Sequence, residues 1–302
     1  QAEYTLTVDS KDFPLRAYEI GGDTYFKLRD IAMALNGTDR QFGVLWDGSE
    51  KAVMLTTGTV YTPVGGELSE PARSAGAAAY SSTVSFYIDN VRIPIRAYLA
   101  NDNHYIKLTD LAASLLFFSN CDSEKNTVEI NTDKIYSGIY SFSLPEGWSA
   151  EGDVYNLSFT RSDNSVGSLT VYNYDPDNPI SQFQGNHAET LSSETLSGFD
   201  YPTVKAIIRR TQPAAAQDDS YVDELHIYIL LSGLQCAFDF CFDSAKADEA
   251  AALEIAGSFV PDEAAIKMNT AAAKWAKAIQ DRDGKAQYAL LSSELQPEFK
   301  DY

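Results

Sequence analysis

Apolar residues recur along this chain with two different periods, and each switch between them marks an element. Leu28, Ile31, Ala32 and Leu35 fall at i, i+3, i+4 and i+7, the stripe of a short amphipathic helix; Leu108, Leu111, Ala112 and Leu115 repeat it. Before each helix, two short runs are joined by turn residues, Gly21-Gly22-Asp23 and Asn101-Asp102-Asn103, which predicts a hairpin. After each helix, Val53 and Leu55, or Val128 and Ile130, alternate with polar neighbours and predict a closing strand. One short helix cannot bury itself, so the predicted unit is an antiparallel sheet curled around it.

The two units are copies of one another. Pro14-Leu15-Arg16-Ala17-Tyr18 returns as Pro94-Ile95-Arg96-Ala97-Tyr98, and Tyr25-Phe26-Lys27-Leu28-Arg29-Asp30-Ile31-Ala32 as Tyr105-Ile106-Lys107-Leu108-Thr109-Asp110-Leu111-Ala112. The offset is 80 without a gap, and 10 of the 22 positions from Pro14 to Leu35 are identical. The copies cover about 3–62 and 83–134 of a first unit, 1–135. Tyr18, Tyr25, Tyr98 and Tyr105 recur at equivalent positions. Two readings of them stay open: structural packing, or a doubled ligand-binding surface that stacks on sugar rings or meets a protein.

These words, with the Leu45-Trp46-Asp47 that follows the first copy, resemble the copper amine oxidase N-terminal domain, the stalk domain of secreted and surface proteins of Gram-positive bacteria. The second copy departs from the pattern, with Thr109 in place of the arginine and Phe117-Phe118-Ser119-Asn120-Cys121-Asp122 where a tryptophan is expected. The resemblance implies a non-catalytic, surface-associated module. Thr170-Val171-Tyr172-Asn173-Tyr174-Asp175 fits the quinone-forming motif of the oxidases, but His104, His187 and His226 are scattered and form no His-x-His pair. Copper(II) prefers imidazole nitrogen, so amine oxidase activity is rejected.

A second unit spans 136–260. Tyr140/Phe142/Leu144, Leu157/Phe159, Leu169/Val171, Val204 to Ile208, Leu225/Ile227/Ile229 and Phe238/Phe240/Phe242 predict strands. A helix is expected near Pro179–Leu196 and an alanine-rich one over about 245–259. This order predicts an antiparallel sheet with helices packed on it. The opening word, Tyr140 to Trp148, resembles the PsbP-like fold. The last piece, 261–302, predicts a helical tail broken at Asp283-Gly284; it looks like the opening helices of a nuclear-transport-factor-type cone, so the two readings are a further domain after it or helices that pack back as a cap. The fold class expected is therefore α+β: two βα repeats, an α+β domain, then helices.

Charge narrows the partners. The 302 residues carry 43 acids against 23 bases, a net charge of −20, which repels phosphate backbones and argues against nucleic acid. Residues 136–260 hold 18 acids and 5 bases of that total. Calcium is the one cofactor this acidity suggests, with Asp175-Pro176-Asp177-Asn178 and Ser162-Asp163-Asn164 as candidate loops; neither they nor Asp281-Arg282-Asp283-Gly284 have calcium-loop spacing. No apolar run is long enough to span a bilayer. The chain opens Gln1-Ala2-Glu3 with no apolar leader, as in a secreted or surface protein after signal-peptide removal.

Catalytic patterns are sparse. There is no Gly-x-Ser-x-Gly elbow, and His226 is expected on an exposed or partly packed strand face. Cys236 and Cys241, five apart on one strand, face opposite sides and cannot bond to each other. Cys121 is the candidate reactive thiol. The sequence thus points to a non-catalytic secreted or cell-surface binding or spacer protein that contacts wall glycan or a protein partner. A hydrolase or hydrolase regulator with its site in the middle unit, and a calcium-dependent adhesion module, are the alternatives.

Overall fold

Gly21 and Gly22 take φ of 63° and 89°, and Asn101 and Asp102 take 49° and 57°. Two successive positive φ values make the tight hairpin turn that suits strand twist, and glycine or a short side chain is what tolerates them. The computed structural model describes residues 2–69, 78–161, 166–211, 220–293 and 295–296. The chain is α+β, mostly strands in several sheets with five α-helices among the described residues.

The first half runs β1 (Ala2–Val8), β2 (Lys11–Ile20), β3 (Asp23–Lys27), α1 (Leu28–Ala34), β4 (Phe42–Asp47), β5 (Ala52–Thr57), β6 (Tyr80–Ser81), β7 (Ser85–Ile88), β8 (Val91–Ile93), β9 (Ala97–Ala100), β10 (Asn103–Lys107), α2 (Leu108–Leu115), β11 (Phe118–Asp122) and β12 (Thr127–Asn131). An eight-stranded sheet has the order β11-β12-β1-β2-β3-β10-β9-β6, and a four-stranded sheet has the order β4-β5-β7-β8. At the centre of the larger sheet β3 lies antiparallel to β10. Phe26 faces Ile106, Tyr25 faces Lys107, and Lys27 faces Tyr105. Each helix buries its apolar stripe, Leu28, Ile31 and Ala32 or Leu108, Leu111 and Ala112, in one shared core with Leu6, Leu15, Phe42, Phe86 and Ile130.

One expectation is corrected here. The sheet does not close within each copy, and it is not wholly antiparallel. The closing strand of the first copy, β5, runs parallel to β7 of the second, with Val53 beside Phe86. The closing strand of the second, β12, runs parallel to β1, with Leu6 beside Val128. Parallel neighbours need a long crossover, and alternation along a strand does not reveal which distant strand supplies it.

The second half continues with β13 (Lys134–Tyr136), β14 (Tyr140–Ser143), β15 (Trp148–Gly152), β16 (Asn156–Arg161), β17 (Val166–Asn173), β18 (Ala188–Leu196), β19 (Thr203–Thr211), β20 (Tyr221–Leu231), β21 (Cys236–Asp243), α3 (Glu249–Gly257), β22 (Val260–Pro261), α4 (Glu263–Asp281) and α5 (Gly284–Leu290). A seven-stranded antiparallel sheet, β15-β16-β17-β21-β20-β19-β18, forms its body. One face carries Phe238, Phe240 and Phe242 with Phe159, Leu225 and Ile227, and buries them with Phe142 and the Ala252, Ile255 and Ala256 side of α3. The opposite face carries a smaller apolar cluster, Ala206, Ile208, Tyr228, Leu230 and Ala237, and also holds the buried His226 and Asp239.

The helix expected near Pro179–Leu196 is also corrected. That stretch is a single 3-10 turn, Ile180–Phe183, followed by β18 on the sheet edge. Seven consecutive β18 residues, Glu189 to Thr195, are exposed, so the strand leaves no alternation to read, and only its ladder with β19 defines it. No helix among the described residues is long and apolar enough to cross a membrane.

Candidate functional site

The four repeated tyrosines meet at the seam between the copies. Tyr18 packs edge-to-face on Tyr105 with ring centroids 4.6 Å apart, and Tyr25 packs the same way on Tyr98 at 4.9 Å. Tyr18, Tyr25 and Tyr105 are buried and Tyr98 is half-buried. Their rings pack on each other across the seam.

Two exposed aromatic rings line a cleft of about 460 Å³ between the start of α1, the β4–β5 hairpin and β9–β10. Trp46 on β4 is 47% exposed and Tyr80 on β6 is 69% exposed. Leu45 and Leu99 add apolar wall, and Ser81, Asp102 and Asn103 add short polar side chains. His104 backs the cleft. Trp46 lies nearly parallel to the imidazole at 6.3 Å, and Phe86 meets it edge-on at 5.8 Å. The His104 Nε2 is buried without a hydrogen-bond partner. Burial, with a smaller push from Arg29, holds this histidine below its ordinary value of 6.5, so the ring is neutral at physiological pH. Trp46 entered the sequence reading only as part of a family word. Its signal was available: it and its neighbour Leu45 are adjacent apolar residues on one short strand, so one of them has to face solvent.

A larger, more open groove of about 930 Å³ lies between the β17 end of the seven-stranded sheet and α4–α5. Its roof is lightly anchored, because α4 buries only Ile266 and Ala278.

On the face of the seven-stranded sheet turned away from the Phe-rich core, five side chains converge. His226 is 4% exposed, more deeply buried than the exposed or partly packed strand face its sequence position suggested, and Asp239 is 3% exposed. The His226 Nδ1 lies 2.9 Å and 3.1 Å from the two Asp239 oxygens, and its Nε2 lies 3.1 Å from Glu224 Oε2 and 3.6 Å from Cys241 Sγ. Arg210 donates to both Glu224 oxygens at 2.8–3.0 Å. Burial alone would lower the imidazole; the Asp239, Cys241 and Glu224 contacts overcome it and push His226 up to about 12. Glu224 is pushed up by burial but drawn down to about 2 by His226 and Arg210. Burial raises the Cys241 thiol. Tyr228 stacks on His226 at 5.4 Å with rings 11° apart, and its buried hydroxyl has no partner. Among the described residues, Glu224, His226 and Cys241 are the one group of three His, Cys, Asp or Glu side chains close enough to share an ion.

The other candidates are placed plainly. Cys236 joins the Phe-rich core while Cys241 faces the other way. Cys121 is exposed, but burial of its sulfur and the Asp122 charge raise its thiol above the ordinary value. In the first candidate calcium loop, Asp175 accepts from the Asp177 N–H and the Asn178 amide; the second, Ser162-Asp163-Asn164, lies outside the described residues. Asp281 pairs with Lys277, and Asp283 caps α5.

No family model matches the chain, and no curated protein matches it. Among solved structures it is similar to the Saccharomyces cerevisiae Ran-binding protein Mog1p, at 13% identity and TM-score 0.32 over 43% of this chain and 94% of that one. A mutant of protein Mog1 gives 13% identity and the same score over 42% of this chain and 94% of that one. A protein from Bacteroides thetaiotaomicron gives 12% identity and TM-score 0.28 over 40% of this chain, which spans 44% of that structure. Likenesses at these scores carry no functional argument.

Proposed function

We propose that this chain is a non-catalytic binding or spacer module of the bacterial cell envelope whose first half holds wall glycan in the Trp46 cleft. The two copies are read as equivalent halves of one unit, 1–135, ahead of an acidic unit, 136–260, and a helical tail, 261–302. The observation that carries the glycan reading is the exposed Trp46 ring standing over a cleft that also offers Tyr80, Asp102 and Asn103. A sugar ring has an apolar C–H face and a hydroxyl edge, so it is matched by an aromatic face flanked by short polar groups. The net charge of −20 favours uncharged glycan over anionic wall polymers.

The test is cosedimentation of the chain with purified Gram-positive wall sacculi, comparing wild type with Trp46→Ala. Saturable pelleting that weakens about tenfold in the variant, as loss of a central aromatic anchor predicts, supports the reading. Equal pelleting of the two proteins assigns any wall contact to another surface, and no pelleting removes it. A chelator arm tests the calcium-dependent version, which requires pelleting to be lost without the ion. The hydrolase alternative rests on the convergence of Glu224, His226, Asp239 and Cys241; release of soluble sugar or peptide from the sacculi during the same incubation would bring it forward.

A further inference from the structure

We propose that Glu224, His226 and Cys241 are ligands for one divalent cation of the zinc class, with Asp239 and Arg210 orienting them. This is independent of the glycan reading and adds a cofactor where the sequence suggested calcium at most.

The site follows from strand register. His226 on β20 and Cys241 on β21 face each other across the antiparallel ladder, and Glu224 precedes His226 by two residues and so points to the same face. In a tetrahedral zinc site, with metal–nitrogen and metal–oxygen bonds of about 2.0–2.2 Å and a metal–sulfur bond of about 2.3 Å, nitrogen and oxygen ligands sit roughly 3.3 Å apart and nitrogen and sulfur roughly 3.6 Å apart. The contacts here are 3.1 Å from His226 Nε2 to Glu224 Oε2 and 3.6 Å to Cys241 Sγ. The ligand atoms all lie within 4.8 Å of one another. A shared ion needs Glu224 Oε2 and Cys241 Sγ within about 4.4 Å of each other, which small side-chain rotations supply with the strands in place.

The surroundings suit such an ion. Asp239 holds Nδ1 and so turns Nε2 toward the two other ligands, the carboxylate–imidazole–metal arrangement that fixes a ligand ring. Arg210 clamps the Glu224 carboxylate so that Oε2 faces the imidazole. Charge stays balanced. Without metal, Arg210 and a protonated His226 offset Glu224 and Asp239. When the cation enters, one proton leaves His226 Nε2 and one leaves the Cys241 thiol, both to solvent, and the net charge of the group does not change. Three protein ligands leave a fourth position open. The Tyr228 hydroxyl, fully buried and without a partner, is close enough to Asp239, Cys241 and Glu224 to feel their charges; a metal-bound water would give it one. A thiolate and an imidazole with a single carboxylate select zinc or cobalt over calcium, which takes oxygen.

The experiment loads the metal-free chain with cobalt(II), a coloured stand-in for zinc, and follows binding by equilibrium dialysis and absorption. The expected result is one retained equivalent with a thiolate-to-cobalt charge-transfer band. Cys241→Ser should abolish the band and weaken retention at least tenfold, and Cys121→Ser should change neither. In the unsubstituted protein one equivalent of zinc should slow alkylation of Cys241 at least tenfold, read by mass spectrometry, and leave Cys121 unaffected; this arm stands even if the Cys241 variant fails to fold. Retention without the band, a band that persists in Cys241→Ser or disappears in Cys121→Ser, or unprotected Cys241 overturns the assignment and leaves the five side chains as an ion-pair network.

Discussion

His104 is the residue whose ionisation reports on the Trp46 cleft. Its native pKa lies below the ordinary value because burial disfavours the imidazolium, so the unfolded chain takes up the proton first as pH falls. The stability this histidine contributes is therefore complete above about pH 6.5 and declines as pH drops through its lowered native value. The melting temperature of the wild type should fall between about pH 7 and pH 5 more steeply than that of His104→Gln; parallel curves would mean that the ring titrates as it does in water. At the same scale, the repeated Lys-Leu-x-Asp words turn out to be structural. Asp30 is buried, 3.4 Å from Lys27 Nζ, and accepts the Leu68 N–H. Lys107 reaches Asp23 in the other copy. Repetition in the sequence marked these residues without saying why. His226 was hidden for the opposite reason, since its partners Asp239 and Cys241 lie on another strand and become neighbours only through register.

Strands β17 and β21 show how closely the elements fit. Gly167 opposes Phe242, and a Cβ built on it would stand 2.5 Å from Phe242 Cδ1 and 3.1 Å from Phe159 Cδ2. The glycine is there to let the Phe242 ring lie against the strand. Gly167→Ala should destabilise the sheet by about 1–3 kcal/mol, the usual cost of overpacking, measured as a lower urea midpoint with an unchanged m-value. An unaltered midpoint would show that the Phe242 ring can swing aside. Elements with a strong period were legible before folding: the two helical stripes, the Phe238/Phe240/Phe242 strand, and the tail helices separated at Asp283-Gly284. The exposed edge strand β18 was not, because nothing in its own side chains distinguishes a strand paired on one edge from a polar helix.

Across the whole molecule, the decisive feature is the exchange of strands between the copies. The first copy alone lacks β12 beside β1, β10 beside β3 and β7 beside β5. Three open edges and half a core cannot offset the entropy of ordering the chain. A fragment of residues 2–62 should therefore show no cooperative urea transition as a monomer and no near-ultraviolet circular dichroism, whereas 2–134 should show both; a cooperative monomeric transition from 2–62 would refute the interdependence. The halves also touch through Arg40, which donates to the Thr132 carbonyl within the first unit and to the Ala150 carbonyl in the second, and keeps its charge although burial lowers its pKa.

What the sequence determined by itself was local or repetitive: helical stripes, strand alternation, turn chemistry at Gly21-Gly22 and Asn101-Asp102, the 80-residue repeat, and an acidic surface. These depend on neighbours within a few residues, or on identity between distant words, and both can be read along a line. The tertiary structure alone decided which strands pair across the copies, that Tyr18, Tyr25, Tyr98 and Tyr105 face one another, that Trp46 and Tyr80 share a cleft, and that Glu224, His226, Asp239 and Cys241 converge. Each of these is a contact between segments joined by long crossovers or opposed across a ladder. Such a contact is set by register and burial of the whole chain, to which no single stretch of sequence has access.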